Sequence, residues 1–400
     1  MIPYGRQSLD KKDILSVKKI LQSNFLTQGP TVIKFEKKIA EYCNVKFCAA
    51  SSSASSALYL ACRTLNLSKG EIFWTVPNTY VATANAGLLC GAKIDFVDID
   101  KDTGNICLNK LEQKLKISKK LKKLPKIIMP VHFAGVPFNQ QKLKLLSKKY
   151  KFKIIEDASH ALGSVNNGSK VGSCKWSDIT VFSFHPIKTI TTGEGGALTT
   201  NKKEYYQKIK ILTSNGVTKN SKDFKKKINK SWYYEQHFLS LNFRMSDINA
   251  ALGLSQIKKI NLFVKKRNQI ARNYNRAFSG LNIKLPKNFK GKYSSFHLYV
   301  IKVEKSIRNK LFDYLVKNKI YVNLHYLPVH LQPLYENMKI KRRDLINSEE
   351  HALSAISLPI FPDLNKKEQT RVIKVIRLFF KRNKNHNDPS KKKMTKNKDF

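Results

Sequence analysis

Apolar residues at helical spacing occur near the N-terminus of the chain. Ile14, Val17 and Leu21 recur at intervals of three and four residues and predict a helix from about residue 10 to residue 22. The segment FLTQGP follows and predicts a turn, because it ends in the pair Gly29-Pro30. A second helix is predicted after this turn from apolar residues at the same spacing, namely Val32, Phe35, Ile39 and Tyr42.

The pattern then alternates between short runs rich in β-branched residues and stretches of helical character. Strands are predicted over seven runs, at residues 45–50, 71–76, 94–99, 127–132, 153–157, 179–184 and 196–200. Helices are predicted in the early gaps, for example at 55–65 and 139–149. This alternation predicts an α/β domain with a mostly parallel sheet. Ligands of such sheets bind beyond the carboxyl ends of the strands, so those ends are where a site is expected.

The character of the sequence changes near Ser246. One long helix is predicted from this N-cap to a point just before Gly280. Strands at 296–303 and 320–325 and helices at 306–317 and 366–381 follow. We therefore expect a large α/β domain at residues 1–250, a smaller α+β domain at 251–382 and a disordered basic tail at 383–400, which has very few apolar residues.

The formal charge of +47 does not by itself indicate a nucleic-acid-binding or membrane-binding function. Binding to nucleic acid or to an anionic membrane is one interpretation. We prefer a bias of composition, because the excess is mostly lysine, is spread along the chain and accompanies no nucleic-acid-binding motif. We therefore expect no nucleic-acid and no membrane partner, while small anionic substrates would be attracted to such a surface.

The six cysteines form no C-x-x-C pair and lie mostly in apolar stretches, which is typical of free thiols in a cytoplasmic protein. No signal peptide is predicted, since charged residues occupy the start of the chain. No metal site is predicted either. His132 and His185 lack a carboxylate at ligand spacing and are interpreted as structural.

Three of the predicted strand ends carry unusual side chains. Asp157 closes an apolar strand, and Ser183 ends the next one, with Lys188 in the loop behind it. Ser53 to Ser55 lead into an apolar helix, whose N-terminus can hold a phosphate. Each feature alone has an ordinary explanation: a helix cap for the aspartate and the serines, and a solvated surface charge for the lysine.

Together the three features match a pyridoxal 5′-phosphate site. A lysine amine forms a Schiff base with the aldehyde of this cofactor, and a carboxylate keeps its pyridine nitrogen protonated. Ser183 can add a hydrogen bond to the phosphate, and Tyr80 can stack on the ring. The glycines at 193, 195 and 196 allow the loop to turn tightly beside the ligand.

The chain resembles the DegT/DnrJ/EryC1/StrS family of aminotransferases from its N-terminus to about residue 380. The resemblance is carried by the ordered motifs FLTQGP, SSSASSAL, PNTYVATANA, VHFAGVP, EDASHALGS, TVFSFHPIKTITTGEGGALTT and LNFRMSDINAALGLSQ. It implies a fold-type I pyridoxal-phosphate enzyme with a large, mostly parallel sheet domain and a smaller C-terminal α+β domain. It also implies a homodimer with shared active sites.

The resemblance assigns roles to the residues that match the family's motifs. Lys188 would form the Schiff base and move protons, and Asp157 would pair with the pyridine nitrogen. His160 would lie near the phenolic oxygen of the cofactor. The phosphate would be held by Ala54, Ser55 and Ser183, and by Asn242 from the other subunit of the dimer. Many relatives have the sequence SGT in the phosphate turn, whereas this chain has Ser53-Ala54-Ser55. Alanine in place of the central glycine is tolerated if residue 54 does not need a positive φ.

The motifs SHALGS, FSFHPIKTITTGEGG and NLHYLPVHLQPLY resemble the branch of the family that serves pseudaminic acid biosynthesis. This implies amination of a UDP-linked 4-keto-6-deoxy-N-acetylhexosamine, the β-L-arabino isomer, with L-glutamate as donor and 2-oxoglutarate as by-product. The sugar nucleotide would contact Tyr4, Asn24, Phe25, Leu26, Thr27, Ser53, Asn323, Leu324, His325 and Tyr326. Enzymes for perosamine, bacillosamine or 4-amino-arabinose share most of these motifs. A sugar-dehydratase branch carries histidine in place of the lysine, which disagrees with Lys188.

Overall fold

A computed structural model describes residues 1–228, 230–287, 289–338, 340 and 342–386. Among these residues the helices are α1 Lys11–Leu21, α2 Pro30–Cys43, α3 Ala54–Thr64, α4 Val81–Leu88, α5 Leu108–Lys120, α6 Gln140–Tyr150, α7 Lys203–Thr213, α8 Asp247–Ile257, α9 Ile260–Phe278, α10 Lys305–Lys317, α11 Ile346–Ser354 and α12 Lys366–His386. The strands are β1 Phe47–Ser51, β2 Ile72–Thr75, β3 Lys93–Phe96, β4 Ile127–Met129, β5 Lys153–Asp157, β6 Val165–Asn166, β7 Ser169–Lys170, β8 Ile179–Ser183, β9 Gly196–Thr200, β10 Val217–Thr218, β11 Glu235–Gln236, β12 Lys292–Tyr293, β13 Tyr299–Lys302 and β14 Ala355–Leu358.

A seven-stranded sheet in the order β1-β9-β8-β5-β4-β2-β3 organises the larger part of the chain. Neighbouring strands from β3 to β8 run parallel, and β9 runs antiparallel to both β8 and β1. The mostly parallel sheet and all seven predicted strands are therefore confirmed. Because Asp157 pairs with Val181, the carboxyl ends of β5 and β8 lie side by side at one edge of the sheet.

The N-terminus of helix α3 lies at this edge of the sheet and is fixed there by local sequence features. Ser53 is its N-cap, and Ser53 and Ser56 cap each other through reciprocal bonds between side chain and backbone. The buried face of the helix is apolar, with Ala57, Leu58 and Ala61 in the same core as strand β8. The cap and the apolar face together fix the N-terminus of α3 beside the strand ends.

The single long helix predicted after Ser246 is wrong in one respect. Ser246 does cap a helix, accepting a hydrogen bond from the amide of Asn249, but α8 ends at Ile257 and α9 begins at Ile260. Helix α8 packs against α1 and α2, and Lys259 at the break forms ion pairs with Asp10 and Asp13 at 3.0 and 2.5 Å. These contacts involve residues far away in the chain, so local periodicity could not reveal the break between α8 and α9.

The strand predicted at residues 320–325 is also not formed. Ile320 makes an isolated bridge to Ile2, and Asn323 makes another to Ser357 in β14. The two ends of the segment pair with different partners, so a continuous ladder does not develop. The strand predicted at 296–303 is present in shortened form as β13, which pairs with β14 in antiparallel fashion.

A second apolar core lies between α9, α10, α12, β13 and β14. Helix α9 spans both cores: Phe263 and Val264 pack with the large sheet, whereas Tyr274 and Phe278 pack in the second core. The domain boundary at residue 250 stays a prediction. Helix α12 continues to His386, and residues 387–400, most of the predicted disordered tail, lie outside the described residues. In the part of the chain that is described, no helix has the length and apolarity required to cross a bilayer.

Candidate active site

A cavity of about 470 Å³ lies where β5 and β8 end, between the large sheet and the segment after α10. It gathers twelve of the residues that were predicted to bind cofactor or substrate: Tyr4, Ser53, Ala54, Ser55, Tyr80, Asp157, His160, Ser183, Lys188, Asn323, His325 and Tyr326. The remaining predicted residues, Asn24, Phe25, Leu26, Thr27, Asn242 and Leu324, do not line it. A second and more open cavity of about 550 Å³ lies at Tyr42 and Lys170, away from the strand ends.

Asp157 is the last residue of β5 and is only 4% exposed. Thr83 Oγ1 donates to one carboxylate oxygen at 2.7 Å, and the backbone N–H of Ser159 donates to the other at 3.0 Å. No cation lies within ion-pair distance of it among the described residues. A carboxylate that is buried, oriented and unpaired is well suited to hold a protonated ring nitrogen.

Lys188 lies in the loop between β8 and β9, which is closed by backbone hydrogen bonds of Phe184 with Gly195 and Thr192 at 2.9 and 3.0 Å. Its amine has no hydrogen bond or ion pair within the described part of the chain. Burial lowers the pKa of Lys188 from its usual 10.5 to about 8, although the charge of Asp157 acts in the opposite direction. About a tenth of the amine is therefore uncharged at pH 7, far more than for an ordinary lysine, and this uncharged form is the one that acts as a nucleophile or a base.

The N-terminus of α3 supplies the third feature. The first N–H groups of a helix have no partner within it, so those of Ala54 and Ser55 are available to an anion. Ala54 is the first residue of the helix and has no positive φ, which removes the objection to alanine in this turn. A Cβ on Gly196 would lie 2.4 Å from the carbonyl oxygen of Ser53, so only glycine lets β9 pass this close to the turn.

Aromatic and imidazole side chains close the cavity from the opposite side. His160 Nε2 lies 3.0 Å from Tyr326 Oη, and the Tyr326 amide donates to Asn78 Oδ1 at 3.1 Å. His325 Nδ1 is 2.8 Å from Ser357 Oγ, and its ring centroid lies 5.4 Å from that of Tyr4. Burial, and then the charge of Lys188, lower the pKa of His325 to about 3, so this imidazole is neutral at neutral pH.

Several residues of the cavity were missed by the sequence reasoning: Thr79, Thr83, Ser159, His185, Ile187 and Glu194. Thr83 is the most important because it holds Asp157 in place. Thr79 Oγ1 lies 2.7 Å from Thr83 Oγ1, and the spacing of four residues within PNTYVATANA was the available signal. His185 had been interpreted as structural, but it lies on the cavity wall. His132 is fully buried, 3.3 Å from Glu156 and stacked on Phe138.

The residues present fit pyridoxal 5′-phosphate. An unpartnered amine is available for the aldehyde, an unpaired carboxylate for the pyridine nitrogen, and helix N–H groups with serine hydroxyls for the phosphate. A metal site has no comparable support, because the described residues contain no group of three or more histidine, cysteine or acidic side chains that could hold an ion.

Comparisons with known proteins identify the family of this chain. Residues 7–377 match the DegT/DnrJ/EryC1/StrS aminotransferase family, and the chain belongs to it. The UDP-4-amino-4,6-dideoxy-N-acetyl-β-L-altrosamine transaminase of Campylobacter jejuni is 38% identical over 92% of this chain and 94% of its own. Helicobacter pylori PseC, an aminotransferase of pseudaminic acid biosynthesis, superposes with a TM-score of 0.86 at 32% identity, covering 95% of this chain and 99% of PseC. Spr1654 of Streptococcus pneumoniae in its PMP form gives 0.88 at 27% identity, over 96% and 100%.

The lowered pKa of Lys188 gives the first testable prediction. In cofactor-free protein, the rate of acetylation of Lys188 by trace acetic anhydride should rise with a midpoint near pH 8, whereas exposed lysines rise near their ordinary value of about 10.4. In Asp157→Asn the midpoint should fall further, because the carboxylate that favours the ammonium form is gone. Peptide mass spectrometry of Lys188 over a pH series measures both; a midpoint above 10 would contradict the assigned environment.

Proposed function

We propose that this member of the DegT/DnrJ/EryC1/StrS family transfers the amino group of L-glutamate to C4 of a UDP-linked 4-keto-6-deoxy-N-acetylhexosamine. The substrate is the β-L-arabino isomer, and the products are UDP-4-amino-4,6-dideoxy-N-acetyl-β-L-altrosamine and 2-oxoglutarate, in pseudaminic acid biosynthesis. The observation that carries the proposal is the unpartnered amine of Lys188 in one cavity with the unpaired Asp157 carboxylate and the N-terminus of α3. The similarity to the altrosamine transaminases supports the substrate.

The proposed cofactor is pyridoxal 5′-phosphate, which when bound withdraws electrons from the carbon that carries the amino group. Asp157, oriented by Thr83, would hold the pyridine nitrogen in its protonated form. The N–H groups of Ala54 and Ser55, with the hydroxyl of Ser183, would hold the phosphate. His160 would lie near the phenolic oxygen, and Tyr80, at the N-terminus of α4, would cover one face of the ring.

Lys188 has two tasks in this proposal. Its amine would hold the cofactor at rest, and as a free amine it would take the proton from the α-carbon of glutamate. In the second half of the cycle the same amine delivers a proton to C4 of the sugar. An amine with a pKa near 8 can serve both directions, because it gains and loses a proton readily near neutral pH.

The sugar nucleotide would bind between the two cores, at Tyr4, Ser53, Asn323, His325 and Tyr326. Leu324 would contribute through its backbone. Perosamine-, bacillosamine- and 4-amino-arabinose-type substrates are the alternatives, since their enzymes share the motifs. The dehydratase alternative lacks support, because Lys188 is present and faces the cavity.

We further propose a homodimer in which each copy completes the site of the other. Asn242 is exposed and does not line its own cavity, which is compatible with a residue that reaches the phosphate in the partner. The segment Asn24 to Thr27 would contact the partner's substrate in the same way. Ile14 and Leu21 of the predicted apolar stripe of α1, and Phe25 and Leu26 in the turn after it, are between 47% and 64% exposed, so these apolar side chains are available for such an interface. The cytoplasmic location belongs to the same proposal.

Replacing Lys188 tests the reaction. Lys188→Ala should lower turnover of glutamate with the 4-keto sugar by at least about a thousandfold, because both attachment and proton transfer depend on this amine. The matched control is Lys203→Ala, at the exposed start of α7, which should retain wild-type turnover. Full activity in Lys188→Ala would exclude the proposed mechanism.

Replacing Thr83 tests how the carboxylate is held. Thr83→Val keeps the shape but removes the 2.7 Å hydrogen bond to Asp157, and should weaken binding of pyridoxal phosphate about tenfold. Thr83→Ser keeps the hydroxyl and should bind as the wild type does. Fluorescence titration of cofactor-free protein measures the affinities, and thermal unfolding shows that both variants are folded. Equal affinities in all three proteins would mean that Thr83 does not support the site.

The substrate is tested with glutamate and two UDP-linked 4-keto sugars that differ only at C5, with NMR identification of the products. The β-L-arabino isomer should be converted to the 4-amino sugar in preference to the D-xylo isomer. A preference for the D-xylo isomer would overturn the assigned substrate but not the assignment to the family.

A further inference from the structure

A row of buried nitrogen atoms extends from the cavity into the protein behind it. His160 lines the cavity, and the ring of His297 lies behind it with the two ring centroids 4.4 Å apart. Arg267 of α9 follows, donating through Nη1 to the carbonyl oxygen of His297 at 3.2 Å. The three side chains are 4%, 3% and 0% exposed, so they are almost completely shielded from bulk solvent.

Much of the hydrogen-bonding capacity in this row is unused by the described residues. Nδ1 of His160, both ring nitrogens of His297, and Nε and Nη2 of Arg267 have no partner among them. Nη1 of Arg267 is fully used, since it also donates to the carbonyl oxygens of Phe296 and Ile360 at 3.3 and 2.9 Å. Buried polar groups almost always have partners, so this cluster indicates a ligand.

The chemistry of the five nitrogen atoms identifies that ligand. A guanidinium group only donates, so whatever contacts Nε and Nη2 of Arg267 must accept hydrogen bonds. A neutral imidazole presents one donor and one acceptor, so its neighbour must also be able to donate. Water meets both demands, whereas a buried anion could not donate to the acceptor nitrogens.

The balance of donors then determines where the proton of His160 lies. Arg267 contributes three unpaired N–H groups and His297 one, while the only certain acceptor among the unpaired atoms is the other nitrogen of His297. An unprotonated Nδ1 of His160 reduces this excess of donors, and a protonated one increases it. Its Nε2 would then carry the proton and donate to Tyr326 Oη, 3.0 Å away.

We propose that ordered internal water joins Arg267 and His297 to Nδ1 of His160 and fixes His160 as the tautomer protonated on Nε2. His297 and Arg267 are then positioning residues. Because Tyr326 Oη accepts from His160, its own proton is free to point into the cavity, where Tyr326 acts as a donor. This last consequence rests on the proposed function; the water and the tautomer do not.

Backbone contacts hold the row in place. Ser295 Oγ donates to the carbonyl oxygen of His160 at 2.7 Å, and the Ser295 amide donates to Ser164 Oγ at 3.0 Å. The segment before β13 is therefore attached to the turn after β5. The tautomer of His160 thus depends on how the segment before β13 is attached to the turn after β5, and so on residues from both cores.

The tautomer is measured directly in the full-length, cofactor-loaded protein labelled with ¹³C,¹⁵N-histidine, by solid-state NMR near pH 7. The His160 signals are those that disappear in His160→Gln. We expect a neutral ring with Nε2 protonated. His351 is the internal reference for this tautomer, because its Nε2 lies 2.9 Å from the carbonyl oxygen of His325, which can only accept. A wild-type His160 protonated on Nδ1 would overturn the proposal.

Two substitutions separate positioning from packing. His297→Phe keeps an aromatic ring but removes both nitrogens, and should convert the single His160 tautomer into a mixture while leaving His351 unchanged. His297→Gln keeps a donor and an acceptor and should restore the single tautomer. An unchanged tautomer in His297→Phe would exclude a positioning role for His297.

A high-resolution crystal structure of the cofactor-loaded protein tests the water independently, and it remains decisive if His297→Phe does not fold. We expect a water molecule within hydrogen-bond distance of Arg267 Nε or Nη2 and of an imidazole nitrogen in the row. An anion there, identified by anomalous scattering after exchange for bromide, would overturn the proposal, as would direct contact without water. Neither measurement requires turnover, so both outcomes are independent of the proposed function.

Discussion

The buried carboxylate of Asp157 is the constraint on which the rest of the site depends. Removing an ionised carboxylate from water costs several kcal/mol unless other groups replace the lost hydration. The protein supplies two hydrogen bonds, from Thr83 and from the amide of Ser159, but no cation within ion-pair distance among the described residues. Part of the charge is thus left for a ligand. A parallel sheet is the scaffold that makes this possible, since it holds the end of β5 rigidly beside the end of β8 and the loop that carries Lys188.

Burial and a neighbouring charge have opposite effects on the pKa of Lys188. Lys188 is driven toward its uncharged form by desolvation, while Asp157 draws it back toward the ammonium form. The balance leaves an amine with a pKa near 8, which neither effect alone would produce. This pKa results from competition between desolvation and the attraction of a carboxylate, so it depends on how the sheet places the two groups.

The second apolar core contributes side chains to the cavity and also positions the buried Arg267. Its segments bring Tyr326, His325 and Asn323 over the cavity, and α9 passes from one core to the other with Arg267 buried between them. Burial lowers the pKa of Arg267 to about 10, yet it remains charged at neutral pH without a carboxylate partner among the described residues. A buried charge of this kind orders the polar groups around it. The positions of the two cores and the hydrogen bonds of His160 are consequently linked.

Sequence alone determined the seven strands, the capped start of α3 and the positions of Asp157 and Ser183 at strand ends, because these depend on local periodicity and on residues a few positions apart. Helix boundaries, strand pairing and side-chain contacts that involve residues far apart in the chain were decided by the tertiary structure. Contacts with α1 and α2 divided one apparent helix into α8 and α9, and two different partners prevented a strand at residues 320–325. The role of Thr83 likewise depends on the distance between α4 and the end of β5. Charge and hydrogen-bond partners in a buried site come from residues far apart in the chain, so only the folded arrangement shows which lysine has a lowered pKa and which buried carboxylate has no ion-pair partner among the described residues.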